Sequence, residues 1–314
     1  MTTRMQDAAR EYLELRRALG SQLRQPGQLL MDFAARLDDG NADHLPVAAA
    51  VAWATEPEGV TPYWHWYRLL AIRGFSRYLH ALDCRNEIVP ENALPHRYTR
   101  AVPYIFTAAE ITALMCTAAS LPRRLPAATY QALIGLLAVT GMRPGEAYAL
   151  DREHVDLSAG TVMIAHSKNG TSRQLPLHPT AAQALACYAS RRDELFPDPG
   201  QPSFLLSVRG TRLHPNVADG VFRGLARSAG LHAPSPRTRP VLKSLRHTFA
   251  VMTMIGWYKD GMDVDAQMPL LSSWMGHSGP ASTYYYISAV PELLALAAAK
   301  MTLASQAFED EQRP

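Results

Sequence analysis

The first third of the chain places apolar residues at helical spacing. Residues 5–19 and 27–38 each carry an apolar side chain at about every third or fourth position, and Gly20 offers a C-terminal stop to the first interval. Thr61 followed by Pro62 is an N-cap and first-turn pair, which predicts the start of a longer third helix. The residues that set this spacing in the first two intervals are Tyr12, Leu15, Leu19, Leu30, Phe33 and Leu37. The core candidates of the third helix are Trp64, Tyr67, Phe75, Tyr78 and Leu82.

The segment 90–103 interrupts this helical pattern. It contains three prolines and little apolar periodicity, which is typical of a linker between domains. We therefore predict a helical domain over residues 1–95, a linker over 96–106 and a second domain over 107–314.

Helical spacing returns after the linker. Thr107 and Glu110 have the spacing of a capping box, which predicts a helix start. Residues 128–139 are strongly apolar and predict a buried helix that ends near Arg143. Further helices are predicted over 179–195, 215–229, 242–255 and from Pro291 to about Leu303.

A β-hairpin is predicted between these helical stretches. Residues 161–165 and 173–177 have strand character and flank Lys168, and the Asn169-Gly170 pair after that lysine favours a tight turn. We therefore expect Lys168 at the tip of a hairpin.

Composition excludes several classes of protein. A chain of 314 residues with 47% hydrophobic residues can fill two ordinary cores. Its three cysteines are widely spaced and include no Cys-x-x-Cys pair, which argues against a disulfide framework or a cysteine zinc site. Because no signal-peptide pattern or bilayer-length apolar run occurs, we expect a cytoplasmic protein without a membrane partner. The net charge of +3 permits nucleic-acid binding without requiring it.

Six polar residues of the second half form a set suited to metal-free phosphoryl transfer. Guanidinium groups form paired hydrogen bonds to phosphate oxygens, and a tyrosine oxygen can attack phosphorus. Each residue alone has an ordinary explanation as a surface charge, a salt bridge or a packed ring. No metal-ligand spacing or phosphate-binding glycine loop accompanies them, so we expect neither a metal nor a cofactor. The six are Arg143, Lys168, Lys243, Arg246, His277 and Tyr286.

The local sequences around these residues have a recognisable order. They are Thr140–Glu146, the Lys168–Gly170 turn, Lys243–Ala250, Trp274–Ser278 and Ser282–Tyr286. In order, spacing and flanking residues they resemble the tyrosine recombinase family, also called the phage integrase family, over roughly residues 103–300. One position departs from the family, because its second box usually reads His-x-x-Arg and Lys243 occupies the place of the histidine.

The resemblance implies a fold and a mechanism. The fold would be mainly α with a small β-sheet: a helical, SAM-like core-binding domain followed by a mixed α/β catalytic domain, the two forming a C-shaped clamp on DNA. Tyr286, selected by its spacing from His277, would attack phosphorus and leave a 3′-phosphotyrosine and a free 5′-hydroxyl. Arg143 and Arg246 would clamp the phosphate, and Lys168 would be the general acid. Tyr284 and Tyr285 would serve packing or phosphate contact.

The resemblance also implies partners. The first is duplex DNA with specific recombination sites. The second is further copies of the chain, which would form a tetrameric synapse close to the nucleoid. Whether accessory or sister recombinases also take part is left open. The helix from Pro291 would pack on a neighbouring copy or within its own chain. The ending Tyr-Tyr-Tyr-Ile-Ser is similar to recombinases of transposable elements, but integration, transposition and resolution all stay open. The arginines expected to contact DNA are Arg68, Arg73, Arg77, Arg97, Arg100 and Arg173. The first three of them are expected on the outer face of the third predicted helix.

Two alternatives to a recombinase remain at this level. A type IB topoisomerase would use the same fold to relax supercoils without a partner duplex. A degenerate recombinase that lost turnover at Lys243 would bind DNA without cutting it. Two neighbours of the six residues are interpreted as structural: Glu146 as a support for Arg143, and His247 because adjacent helical residues point to different faces.

Overall fold

The computed structural model describes residues 5–94, 102–165, 172–235, 238–277, 279 and 281–299. The chain divides into two compact units, Met1–Arg100 and Ala101–Pro314. Each unit has a hydrophobic core of its own. Among the described residues, no helix is both long and apolar enough to cross a membrane.

The first unit is built from helices. They are α1 (Met5–Ala18), α2 (Arg24–Asp39), α3 (Val47–Thr55) and α4 (Pro62–Leu82). Three of them lie where apolar spacing predicts them, and Thr61 is the N-cap of α4 with Pro62 in its first turn. Helix α3 was not predicted, because its alanine-rich stretch has little amphipathic contrast. Its packing depends on Trp53, which is almost fully buried in the core.

Two expectations about α4 are wrong. Leu82 was expected in the core, but it is the last residue of the helix and is 66% exposed. Arg68 was expected on the outer face, yet it is buried. Its guanidinium carbon lies 3.7 Å from the centre of a Trp53 ring, and Nη2 donates to the Trp53 carbonyl oxygen at 2.9 Å. A cation–π contact and a hydrogen bond therefore hold this arginine inside the unit.

The other two arginines of α4 contact the same acidic residue. Arg73 is largely covered and donates to the backbone oxygen of Glu91 at 3.2 Å. Arg77 is more than half exposed and lies 3.4 Å from the Glu91 carboxylate. Arg77 is therefore the arginine of α4 that has the exposure expected of a residue available to a ligand.

The second unit surrounds the buried helix α6. Its helices are α5 (Ala108–Ala119), α6 (Arg124–Thr140), α7 (Pro144–Ala149), α8 (Pro179–Leu195), α9 (Pro215–Ser228), α10 (Leu242–Lys259), α11 (Val264–Met275) and α12 (Ala281–Ala289), with a last helical run over 291–299. The capping box at the start of α5 is confirmed, since Thr107 and Glu110 each accept from the other's backbone N–H. Helix α11 was not predicted. It contains Pro269 and begins at the cap residue Asp263.

Along the chain, a three-stranded antiparallel sheet follows α7 and precedes α8. Its strands are β1 (Val155–Asp156), β2 (Thr161–Ile164) and β3 (Arg173–Pro176), paired in the order β1-β2-β3. The prediction of a mainly helical fold with a small sheet is confirmed. The predicted hairpin tip with Lys168 lies outside the described residues, as do Arg97 and Arg100.

The C-terminal helices pack on α10. Tyr286 of α12 and Leu293 of the run 291–299 are buried in one apolar cluster with residues of α10 and α11, such as Met254 and Met268. Leu294 is 54% exposed. The start of the last predicted helix therefore packs within its own chain, while residues 300–314 lie outside the described part.

Gly141 sets how closely α10 approaches the end of α6. It terminates α6 in the left-handed conformation at φ 62°, which glycine adopts without steric cost. A Cβ atom at this position would overlap the ring of Phe249 on α10. The close approach of α6 and α10 thus requires a residue without a side chain.

We predict that Gly141→Ala destabilises the protein by about 2–4 kcal/mol, because it adds a left-handed alanine and overpacks the Phe249 ring. Urea unfolding of the purified chain measures this. Gly230→Ala is the matched control: it has φ 72° but open space around its Cβ, so it should cost only about 1 kcal/mol. Equal losses in the two variants would contradict the role of the Phe249 contact.

Candidate active site

Arg143 follows directly on the Gly141 turn. It is the N-cap of α7, and Pro144 begins that helix. Its backbone N–H donates to Glu146 Oε2 and its Nη1 to Glu146 Oε1, both at 2.8 Å. Its Nη2 donates to the carbonyl oxygen of Gly276 at 2.8 Å. The interpretation of Glu146 as a support for Arg143 agrees with these contacts, and the arginine side chain stays 28% exposed.

Arg246 on α10 is buried beside Arg143. Its Nη1 donates to the Gly141 carbonyl oxygen at 2.7 Å and its Nη2 to the Met275 carbonyl oxygen at 2.6 Å. Burial, together with the nearby positive charge of Arg143, lowers the pKa of Arg246 to about 10. The guanidinium therefore remains charged at neutral pH. Two arginines that are 103 positions apart in sequence thus donate to adjacent carbonyls at the end of α11.

The end of α11 is shaped by Gly276. This residue has φ 61°, and the backbone N–H of His277 returns to the Ser272 carbonyl oxygen at 3.0 Å. A Cβ atom at position 276 would lie 2.6 Å from Nη1 of Arg173. Glycine is therefore required both for the turn and for the arginine that packs on it. The turn directs His277 toward α12, where its Nδ1 lies 2.8 Å from Thr283 Oγ1.

Glu146 and Arg173 form a buried ion pair next to Arg143. Arg173 Nη2 lies 2.7 Å from Glu146 Oε2, its Nη1 lies 3.1 Å from Oε1, and its Nε donates to the Trp274 carbonyl oxygen at 2.7 Å. Their side chains are 7% and 12% exposed. Burial alone would raise the pKa of Glu146, but hydrogen bonds from Arg173 and Arg143 outweigh it and lower the pKa.

This pair covers Arg173, which was expected to contact DNA. Arg173 is the first residue of β3, and its side chain points to Glu146 and to the end of α11. A paired, covered guanidinium has its donors occupied by protein oxygens. Its role in the structure is to fix Glu146, which in turn holds Arg143.

Tyr286 contacts α10 at His247, the residue that follows Arg246. Its Oη lies 2.9 Å from Nδ1 of His247, and the side chain is 2% exposed. His247 was expected to be structural, because adjacent residues on a helix point in different directions. They do diverge: Arg246 points to the ends of α6 and α11, whereas His247 points to α12. Both directions belong to the site, because Arg246 contacts the end of α11 and His247 contacts Tyr286 of α12.

The other tyrosines of α12 lie in different surroundings. Tyr284 is 42% exposed and its hydroxyl is 3.3 Å from Asp265 Oδ1. The Tyr285 ring packs beside that of Tyr286, with centroids 5.9 Å apart. The hydroxyl of Tyr286, by contrast, contacts the residue adjacent to the buried arginine.

The remaining predicted site residues are the two lysines. Lys243 lies on the first turn of α10, exposed and three residues before Arg246, so the two share a helical face. Lys168 lies outside the described residues. The structure therefore brings together Arg143, Arg246, His277 and Tyr286, with Lys243 on the same helix as Arg246.

A group with metal-ligand geometry lies elsewhere in the second unit. Among the described residues, Asp151, Glu153 and His154 are the set of carboxylate and imidazole groups close enough to share an ion. Asp151 pairs with Arg212, and His154 Nδ1 accepts from the Asp151 backbone N–H. Protein groups therefore already engage Asp151 and His154, and none of the three residues is among the six above.

Comparison with known sequences finds one family over most of the second unit. The sequence profile of the Phage integrase family matches residues 105–292. A protein of Sinorhizobium fredii named as an integrase/recombinase, y4rB, is 36% identical over 294 residues, which is 91% of this chain and 93% of that protein. Tyrosine recombinase XerD of Mycobacterium leprae is 31% identical over 69% of this chain and 67% of its own length.

Solved structures share the fold. The Tn1549 transposon integrase, in complex with transposon right end DNA, aligns with a TM-score of 0.67 at 16% identity and covers 95% of this chain and 99% of that one. The XerH site-specific recombinase, bound to a palindromic difH substrate, aligns with a TM-score of 0.63 at 17% identity and covers 87% and 78%. The fold of this chain therefore resembles these proteins beyond what sequence identity suggests.

We predict that Glu146→Gln lowers the free energy of unfolding at pH 7 by about 3 kcal/mol, because it leaves buried guanidinium groups without their carboxylate. The folded state lowers the pKa of Glu146, so its stabilisation is complete above the unfolded pKa of roughly 4.3 and is lost as pH falls through the folded value. The difference between the parent and the variant should therefore shrink in acid.

Urea unfolding at pH 7 and at intervals down to pH 3 measures this difference. Glu153→Gln, at a side chain that is 82% exposed, serves as the control and should change stability little at either pH. A loss in Glu146→Gln that stays constant from pH 7 to pH 3 would contradict the paired-carboxylate assignment.

Proposed function

This chain belongs to the phage integrase family of tyrosine recombinases, and we propose that it breaks and rejoins duplex DNA with Tyr286 as its nucleophile. The product of the first step would be a 3′-phosphotyrosine and a free 5′-hydroxyl. The energy of the broken phosphodiester would be kept in the phosphotyrosine bond, so rejoining needs no nucleotide cofactor.

One observation carries the proposal: two guanidinium groups converge on the loop that follows α11, next to the helix with the tyrosine. Arg143 donates to the Gly276 oxygen and Arg246 to the Met275 oxygen. Tyr286 contacts His247, which follows Arg246 on α10. Phosphate between these groups would meet two permanent positive charges and an attacking oxygen.

The charge balance of the site favours an anionic ligand. Arg143 and Arg173 share the single carboxylate of Glu146, whereas the described hydrogen bonds of Arg246 go to backbone oxygens. Attack on phosphorus increases the negative charge on its non-bridging oxygens, which guanidinium groups stabilise through paired hydrogen bonds. Arg143, with part of its side chain exposed, is the arginine we assign to the first contact with phosphate.

Lys243 and His277 complete the proposed contacts to phosphate. Lys243 is exposed on the face of α10 that carries Arg246, so its ammonium group can donate to a non-bridging oxygen. Held by Thr283, the His277 ring lies on the loop whose carbonyls bind both arginines. Lys168 is assigned the proton transfer to the leaving 5′ oxygen by family resemblance.

DNA binding and assembly are proposed on the same basis. The partner is duplex DNA, with residues 1–95 as a core-binding domain, 96–106 as a linker and 107–314 as the catalytic domain. Arg77, Arg97 and Arg100 are retained as candidate phosphate contacts, whereas Arg68 and Arg173 are engaged within their own units. We propose a tetramer on paired sites, close to the nucleoid.

Tyr286→Phe should retain DNA binding and lose all covalent adduct, because it removes one oxygen atom and little volume. A nicked duplex, built from the sequence that the purified protein selects from random DNA, traps the adduct, and a denaturing gel detects it. Tyr284→Phe and Tyr285→Phe are the matched controls and should still form adduct. If Tyr286→Phe still forms the adduct while Tyr284→Phe or Tyr285→Phe does not, the nucleophile is the tyrosine whose loss abolishes the adduct.

Lys243→Ala should slow single-turnover cleavage roughly 10²–10³-fold, as expected for loss of one transition-state donor. Lys243→His should retain much of the rate, since an imidazole at this place can also donate to phosphate. Lys259→Ala, at an exposed lysine on the last turn of the same helix, should leave the rate unchanged. Parental rates in Lys243→Ala would show that this position takes no part in catalysis.

A further inference from the structure

The contact between His247 and Tyr286 joins a nucleophile to a titratable ring. The distance from Nδ1 to Oη is 2.9 Å, and the two rings are tilted by 59° with centroids 5.4 Å apart. A candidate general base should lie within about 2.6–3.2 Å of the oxygen whose proton it removes. The described geometry meets this requirement.

The need for a base arises from the ordinary chemistry of tyrosine. A phenol with a pKa near 10 is mostly protonated at neutral pH, so an efficient nucleophile requires a group that removes its proton. Lys243 stands where an imidazole is usual in this family, and an ammonium group has no lone pair with which to accept a proton. A neutral histidine has one, and its ordinary pKa lies near neutrality.

We propose that His247 is the general base of this chain and removes the proton of Tyr286; the inference rests on the proposed role of Tyr286 as nucleophile. Nδ1 of the neutral ring accepts the Oη proton as the bond from Oη to phosphorus forms and the bond from phosphorus to the 5′ oxygen breaks. Lys168 supplies the proton to that leaving oxygen.

Rejoining reverses these transfers. The 5′-hydroxyl gives its proton to Lys168 as its oxygen attacks phosphorus, and the bond from phosphorus to Tyr286 breaks. The departing phenolate then takes its proton back from the His247 imidazolium. Every proton therefore returns to its starting group, and the complete cycle requires no further reactant.

Helix α10 explains how one segment can serve both sides of the reaction. Successive residues on a helix point about 100° apart. Arg246 therefore points to the carbonyls at the ends of α6 and α11, where the phosphate is proposed to bind, while His247 points to the tyrosine of α12. Because the two neighbours point in different directions, Arg246 can bind the phosphate while His247 removes the proton of the tyrosine.

The test measures single-turnover cleavage of the nicked duplex by the full chain and by His247→Asn. An asparagine amide can keep a hydrogen bond at the Nδ1 position but cannot take up a proton. We expect a loss of roughly 10²-fold or more, as is typical for removal of a general base. His247→Gln is the second variant, and only variants that bind the duplex like the parent are compared.

A second substrate separates the base from the general acid. When sulfur replaces the bridging 5′ oxygen, the leaving thiolate needs no proton, so this substrate should restore cleavage by Lys168→Ala. It should not restore His247→Asn, because the missing base acts on the nucleophile. His178→Asn is the matched control: it is an exposed N-cap histidine with Nδ1 bonded to Thr180, and asparagine is also a favoured cap. Its cleavage should be unchanged.

The outcomes are distinct. If His247→Asn cleaves at the parental rate, the proposal is overturned. A faster rate would overturn it too, because the contact between His247 and Tyr286 would then hold the tyrosine back. The sulfur substrate could also restore cleavage by His247→Asn as fully as it restores cleavage by Lys168→Ala. That result would mean that His247 acts on the leaving group, and it would overturn the proposal as well. If the parent itself forms no adduct through Tyr286, the proposed function fails, and that result is seen before any variant is measured.

Discussion

The arrangement of the site depends on one buried guanidinium group. Arg246 donates to the carbonyl oxygen that ends α6 and to the one that ends α11, so it joins two helix termini that have no sequence relation. Helix ends present carbonyls without intrahelical partners, and a buried carbonyl requires a donor. A charged donor makes these hydrogen bonds strong, and the same charge is available to a phosphate.

The two glycine turns make this connection sterically possible. Gly141 lets Phe249 pack against the end of α6, and Gly276 lets Arg173 pack against the end of α11. Both residues have positive φ angles, so each ends its helix abruptly and leaves its carbonyl or the preceding one directed at an arginine. The positions of the arginines are thus set by backbone geometry and close packing together.

A second layer of charge holds the first arginine in place. Glu146 is shared by Arg143 and Arg173, and Arg173 also donates to the Trp274 carbonyl oxygen. This chain of contacts runs from the sheet through α7 to α11 without involving the predicted nucleophile. A buried carboxylate between two guanidinium groups fixes orientation while leaving net positive charge in the site, which suits an enzyme of DNA strand exchange.

The sequence alone is enough to predict the helices with clear apolar spacing, the capping box at Thr107, the β-hairpin and the family, because each depends on neighbouring residues or on a fixed order of motifs. It did not determine α3 or α11, whose apolar contrast is weak or interrupted by Pro269. It also placed Arg68 and Arg173 at DNA, since an arginine in a sequence carries no sign of whether a tryptophan ring or a carboxylate from a distant segment will cover it. The contact of His247 with Tyr286 was likewise decided by tertiary structure, because it depends on α12 packing against one side of α10. Local patterns specify which face a residue occupies, but only the packing of distant segments decides what that face meets.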